Sequence, residues 1–233
     1  PRLLERLGTI RDHAAALGET WNHAQFNAQG TRIEQQLGGG QWPQAHAGAQ
    51  ILLQRARAAG DDAYPGADYD LAMACFLLAR VLKTGGGAEQ ALPLLDEARQ
   101  YFEAFEQHQP GCGAGKMASV CITEGADCLC ALGRYDAAAT AYEEAIRRAE
   151  ELGDERNVAV GQGQLGRVRL CQGRYPEALA AYQQARDAFT RLDEPGSVAT
   201  SWHQIGMVHQ EMESPEAAED AYRQSLAINV LLV

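Results

Sequence analysis

Positive charge is scarce in this chain of 233 residues, with 20 Lys and Arg against 31 Asp and Glu and a formal net charge of −11. That deficit argues against a nucleic-acid grip, which needs clustered cations facing phosphates. Val and Ile are also few, 16 together against 41 Ala. Ala loses no side-chain entropy in a helix and β-branched residues do, so the ratio favours helix and nearly excludes a β-rich fold. No run approaches the roughly 18 consecutive apolar residues that span a bilayer, and the first residues lack the basic-then-apolar order of a signal peptide. Six Cys without framework spacing suit reduced thiols better than a disulfide scaffold, and the expected setting is cytoplasmic.

What the chain has in abundance is itself. Gly133-Arg134-Tyr135-Asp136-Ala137-Ala138 and Gly173-Arg174-Tyr175-Pro176-Glu177-Ala178 stand 40 residues apart, and Ser214-Pro215-Glu216-Ala217-Ala218 falls in the same register another 40 on. The offset carries Tyr142 to Tyr182 and Tyr222, Ala145 to Ala185 and Ser225, Ala126 to Gly166 and Gly206, and Glu124 to Gln164 and Gln204. Gly86 to Leu92 is a weaker copy at an offset of 47, and Gly40-Gln41-Trp42-Pro43-Gln44-Ala45 is an older one.

Within a unit the spacing is that of a helix pair. Val158, Leu165, Val168 and Leu170 share one amphipathic stretch, Gly173 stops it, and Pro176 opens the next helix where a missing N–H costs nothing. Ala178, Tyr182, Ala185 and Phe189 then fall on one face. The pattern predicts helices at 2–17, 20–37, 43–59, 67–84, 88–107, 115–132, 136–152, 155–172, 176–192, 197–212 and 216–231. Neither helix of a hairpin buries its apolar stripe alone, so hairpins must stack. The expected fold is all-α, a right-handed α-solenoid of antiparallel helical hairpins.

The pattern resembles the tetratricopeptide repeat family in its longer form, as in kinesin light chains and bacterial multi-domain regulators. The residues that carry the likeness are Trp202, Ile205-Gly206, Ala218, Tyr222 and Ser225, with Leu165-Gly166, Ala178, Tyr182 and Ala185 one unit earlier. The proline that closes the shorter form is absent, and Glu150, Thr190 and Val230 stand in its place. The resemblance is strong over 115–230 and weaker over 20–107. It implies one array over 1–233, with 1–18 the second helix of an incomplete repeat and hairpin repeats at 19–60, 61–107, 108–153, 154–193 and 194–233.

Chemistry-bearing motifs are few. Pro110-Gly111-Cys112-Gly113-Ala114-Gly115-Lys116-Met117 fails as a phosphate loop, because Pro110 replaces the first Gly, Met117 replaces the magnesium-binding Ser or Thr, and no strand precedes it. Cys121, Cys128, Cys130 and Cys171 lack metal-ligand spacing and suit packing. Cys112 and His108 sit in a Gly-rich loop with nothing to orient them as a catalytic pair. Trp21, Trp42 and Trp202 read as packing residues, and Glu143/Arg147 and Glu144/Arg148 as i,i+4 surface pairs. No catalytic group, cofactor or metal is expected.

In the family the first helix of each hairpin lines the inner wall, which implies a groove built from helices 115–132, 155–172 and 197–212. Its polar columns would be Thr123, Glu124 and Asp127; Gln164 and Arg167; and His203, Gln204, Met207, Gln210 and Glu211. Family members that clamp the acidic carboxyl terminus of heat-shock chaperones use Lys and Asn there. Here Thr123, Gly163, His203, Asp127, Arg167 and Met207 occupy those places, so that clamp is not expected. The expected function is a non-enzymatic protein-interaction scaffold that takes a peptide or partner helix, with no direct nucleic-acid or membrane contact. The alternative is a regulatory or sensor arm beside an NTPase or caspase-like protease domain. The missing initial Met and the apolar run Ile228 to Val233 lead us to expect part of a longer chain.

Overall fold

Ala-rich stretches broken at regular intervals by Gly become ten helices in the computed structural model, which describes residues 21–231. They are α1 (His23–Gly38), α2 (Trp42–Ala59), α3 (Ala67–Thr84), α4 (Ala88–His108), α5 (Ala114–Ala131), α6 (Tyr135–Glu151), α7 (Glu155–Cys171), α8 (Tyr175–Arg191), α9 (Pro195–Glu211) and α10 (Pro215–Leu231). Each begins and ends within three residues of its predicted bounds. The helix predicted at 2–17 lies outside the described residues. No strand occurs among the described residues, and none of their helices is long and apolar enough to cross a membrane. The described residues fall into two compact units that divide between Gly115 and Lys116.

The second unit shows why the 40-residue register exists. Left-handed residues fall every twenty positions, at Gly133, Gly153, Gly173, Asp193 and Glu213, with φ of 70°, 65°, 71°, 56° and 54°. Each closes a helix in the same way. The Gly173 N–H donates to the Leu170 carbonyl at 2.9 Å and the Arg174 N–H to the Arg169 carbonyl at 2.8 Å. Paired bonds of this kind satisfy carbonyls that a helix end leaves orphaned and reverse the chain. The next helix therefore returns antiparallel, and two such reversals make one 40-residue unit.

The repeated tyrosine and the repeated small residue are the two sides of one contact. A Cβ on Gly166 would stand 3.0 Å from Tyr182 Cδ1, and one on Gly206 would stand 2.6 Å from Tyr222 Cε1. Ala126 packs with buried Tyr142 in the same way. A large ring in each second helix thus fills the space that a small residue leaves in the first, and burying such a ring contributes on the order of 1.5–3 kcal/mol. Tyr182 is buried as expected, whereas Leu165 and Tyr222 are only partly covered. Glu144 pairs with Arg148 at 2.7 Å, but Glu143 turns to Arg169 of α7 at 2.5 Å, and Arg147 takes Glu144 and Glu151 instead.

The first unit uses different side chains for the same ends. Trp42 lies over Gly85, whose Cβ would stand 2.3 Å from Trp42 Cε2, and its indole N–H donates to the Val81 carbonyl at 2.8 Å. Asp70, 1 % exposed, accepts from the Tyr64 hydroxyl at 2.7 Å and contacts His23 Nδ1 at 2.9 Å, which ties α1 to α3. A buried carboxylate is tolerated only with such partners.

Candidate functional site

Three helices of the second unit enclose a cleft of about 400 Å³. The floor comes from α8 through Tyr182 and Phe189 and from Ala159, Val160 and Gly163 of α7. The walls are Gln164 and Arg167 of α7 and Ser197, Thr200, Ser201 and Gln204 of α9. Spacings of three, four and seven from Ser197 put those four α9 residues on one face, which is why a helix without large apolar side chains there leaves a space.

Hydrogen bonds within the walls determine what they offer a ligand. The Ser197 hydroxyl donates to Glu194 at 2.9 Å, and the Thr200 and Ser201 hydroxyls donate to the carbonyls four residues back at 2.9 Å each. Their protons are spent locally, so they face a ligand as acceptors. The Tyr182 hydroxyl donates to Gln204 Oε1 at 3.2 Å, and Arg167 Nε donates to Gln164 Oε1 at 3.1 Å. Both amides then keep their N–H groups for a ligand carbonyl.

Asp127 of α5 joins this wall from one repeat earlier. It accepts from the Tyr142 hydroxyl at 2.5 Å and from Arg167 Nη2 at 3.3 Å, so the guanidinium is partly neutralised before any ligand arrives. Burial, followed by the hydrogen bond to Asp127, raises the Tyr142 phenol above its ordinary value. Burial pushes Tyr182 up to about 12. Both stay protonated at neutral pH and act as fixed donors rather than as bases.

Three of the ten residues singled out from the sequence, Gln164, Arg167 and Gln204, therefore line the cleft, and Asp127 is coupled to it. The rest lie elsewhere. Thr123 is half-buried with its hydroxyl donating to the Ser119 carbonyl at 3.2 Å, and Glu124 is half-buried on α5. His203 is exposed, its ring 5.3 Å from that of Tyr222, while Met207 and Glu211 are exposed. Gln210 accepts from the Tyr222 hydroxyl at 3.0 Å beside a different cleft, on α10. Val160, Ser197, Thr200, Ser201 and Phe189 were not anticipated. The polar face of α9 is the signal that could have revealed the serines and Thr200.

The Gly-rich loop before α5 binds the chain itself. The Gly111 and Gly115 N–H groups and the Cys112 thiol donate to the Glu106 carboxylate at 2.6, 2.9 and 3.3 Å. These bonds hold Glu106 below the usual carboxylate range. Cys121 and Cys128 are buried as packing residues, Cys130 is half-buried and Cys171 exposed. No group of three or more potential metal ligands is gathered among the described residues.

Repeated hairpins with one Gly–Tyr contact define a class, and comparison places the chain in it. The family model for the tetratricopeptide repeat matches residues 124–191 and 157–229. Over residues 124–229 the chain carries the sequence pattern of that repeat. No curated protein matches it by sequence. Among solved structures, a protein described as a kinesin light chain of Podosopora anserina with nearly identical TPR-like repeats is 16% identical with a TM-score of 0.72, covering 89% of this chain and 96% of that one. Aspartyl phosphate phosphatase F of Bacillus subtilis is 14% identical with a TM-score of 0.77, and this chain, covered completely, spans 57% of it. Bacillus thuringiensis PlcR, solved in complex with the peptide PapR7 and DNA, is 13% identical with a TM-score of 0.64, covering 92% of this chain and 73% of that one. At these identities the likeness shows a shared fold, a solenoid of helical hairpins.

Proposed function

We propose that the chain is a non-enzymatic protein-interaction scaffold whose second unit takes an extended peptide in the α7–α9 cleft. The observation that carries this reading is the pair of facing amides, Gln164 and Gln204, set above a floor of small and aromatic residues. An extended backbone offers a carbonyl to such an amide at alternate residues, and its side chains enter the floor or point to solvent. The PlcR complex, in which a protein of the same fold holds a peptide, supports the reading. Arg167, already engaged by Asp127, gives the cleft little net charge, so ligand selection rests on shape and main-chain bonds more than on a carboxylate.

The test is affinity capture with the chain as bait, followed by titration of the retained partner against the triple variant Gln164→Ala, Arg167→Ala and Gln204→Ala. The reading expects weaker binding at an unchanged melting temperature. A single groove anchor commonly contributes about 1 kcal/mol or less, which is why the three are changed together. Undiminished affinity in the variant would move the site to the outer face or the loops. A second reading, a regulatory arm of a larger protein, draws support from the phosphatase match, in which the fold of this chain makes up 57% of the whole.

A further inference from the structure

One wall of the α7–α9 cleft is built of hydrogen-bond acceptors. Ser197, Thr200 and Ser201 share a face of α9, and their hydroxyl protons go to Glu194 and to the Gly196 and Ser197 carbonyls, at 2.9 Å each. Their oxygens therefore keep lone pairs for a ligand in the cleft. Ser201 is only 5 % exposed, so a ligand that seals the cleft must bring it a donor or leave its oxygen desolvated. Neighbouring cations are engaged elsewhere. Helix α9 contains no Lys or Arg, Arg156 pairs with Glu194 at 2.7 Å, and Arg167 on the facing wall turns to Asp127 at 3.3 Å and to Gln164 at 3.1 Å.

Such a wall discriminates among ligand groups. A carboxylate would bring lone pairs to lone pairs. An aliphatic side chain fits the floor of Ala159, Val160 and Phe189 but covers the three hydroxyls without replacing their water. A guanidinium is a planar fork that suits a carboxylate, and Glu194 is already held by Arg156 and the Ser197 hydroxyl. A primary ammonium sets three N–H donors and no acceptor on one nitrogen, against three hydroxyl oxygens on one helix face. The stem of a lysine also finds an apolar floor to lie on while its charge reaches the polar wall. The net charge of −11 adds a long-range pull on any cation.

We propose that the cleft selects a primary ammonium, carried by a lysine side chain or by the free amino terminus of the bound peptide, and that Ser197, Thr200 and Ser201 receive it. This rests on the reading of the cleft as a peptide site and adds what the peptide presents there. The Gln164 and Gln204 amides hold the main chain, which every peptide has. The α9 hydroxyls supply the selection.

The probes are acetylated and amidated alanine pentapeptides with a central Lys, norleucine, Arg or Glu, and a norleucine peptide with a free amino terminus. Each is titrated against the full chain in about 0.15 M salt while the amide signals of Gln164, Thr200, Ser201 and Gln204 are followed by NMR. A peptide with an ammonium is expected to bind about tenfold or more tightly than acetylated norleucine, which keeps the stem and lacks the charge. Whether Lys or the free terminus shows the gain names the source. Arg falls between, and Glu binds most weakly. Thr200→Val with Ser201→Ala removes two acceptors, breaks only bonds to helix carbonyls and leaves the net charge unchanged. The preference should then fall toward unity, whereas attraction owed to net charge alone would survive. Thr200→Val by itself, at an exposed position, lowers the preference in part even if the change at buried Ser201 disturbs packing, and Thr200→Ser retains it. Gln164→Ala with Gln204→Ala weakens every peptide alike and keeps the preference. A preference that survives Thr200→Val with Ser201→Ala, or no saturable shift at the cleft with any peptide, overturns the proposal. Equal binding of all peptides that still weakens in the double Gln variant overturns it and leaves the peptide reading in place. An ammonium preference with no response to the double Gln variant supports the proposal and removes the main-chain role of the amides instead.

Discussion

Helix α7 contains three glycines, Gly161, Gly163 and Gly166, and replacing each by Ala should give results of opposite sign. In an exposed helix interior Gly is about 1 kcal/mol less favourable than Ala, so α7 carries an intrinsic deficit of about 3 kcal/mol. Two of the three are held by packing. A methyl on Gly161 would meet buried Ile146 at 2.6 Å, and one on Gly166 would meet three ring atoms of buried Tyr182 at 3.0 to 3.1 Å. Overpacking of that kind typically costs about 1–3 kcal/mol, which cancels or exceeds the propensity gain, so both variants should be neutral to destabilised. Gly163 has nothing within 4 Å of a built Cβ, so Gly163→Ala should gain the full amount, about 1 kcal/mol. For a chain of this size that raises the melting temperature by roughly 2–4 °C, readable by scanning calorimetry or far-ultraviolet circular dichroism. Gly163 also lines the α7–α9 cleft, so the stabilised variant should bind a captured peptide partner less well. If Gly161→Ala and Gly166→Ala stabilise as much as Gly163→Ala, the close helix approach is not the reason for the repeated glycine, and the account of the register fails.

Glu213 holds a left-handed conformation, φ 54°, where three of the four preceding turns of the second unit have Gly, so Glu213→Gly should stabilise by roughly 0.5–1 kcal/mol in chemical denaturation. Asp193→Gly, at φ 56°, should gain less, because Asp tolerates this region better. Glu106 is held below the usual carboxylate range, so its contribution is fully present above that range and is lost as the pH falls through its lowered folded value. Glu106→Gln should therefore flatten the acid limb of the stability–pH profile and change little at neutral pH beyond a constant offset. Asp70→Ala leaves the Tyr64 hydroxyl and His23 without their acceptor and should destabilise by about 2 kcal/mol or more, with Asp70→Asn intermediate by the same denaturation midpoint measurement.

The second unit was legible because its signals are local. Gly or a tolerant residue every twenty positions sets the reversals, and the Tyr–Gly pair sets the spacing between paired helices, so turn chemistry and packing specify the same register. The first unit reaches the same architecture with contacts that no offset announces. The indole of Trp42 takes over space above Gly85, and Asp70 gathers Tyr64 and His23 from two other parts of the chain. A polar trio around one buried carboxylate leaves no periodic trace, because its spacings of 6 and 47 residues lie off the 40-residue period. The charged pairs were legible only halfway: spacing made Glu143 and Arg147 neighbours, but Arg169 on the adjacent helix competes for Glu143 and wins at 2.5 Å.

The cleft was harder to read than the fold for a related reason. Columns of equivalent polar residues indicate which positions face the inner wall, and Gln164, Arg167 and Gln204 do meet there. Columns do not indicate where the wall recedes. The space opens between α7 and α9 because Ala159, Gly163, Ser197 and Ser201 are all small, a property of two helices taken together. On α5 the equivalent column holds Asp127, whose carboxylate reaches forward to Arg167 and ties two repeats together where the next pair leaves a space. Removing that tie with Asp127→Asn should release Arg167 toward the cleft. Binding of an acidic peptide should then strengthen while the melting temperature changes little, the exposed ion pair being worth at most about 1 kcal/mol. If Asp127→Asn leaves acidic-peptide affinity unchanged, the Arg167 charge was never withheld from the cleft, and ligand selection there is governed by charge after all.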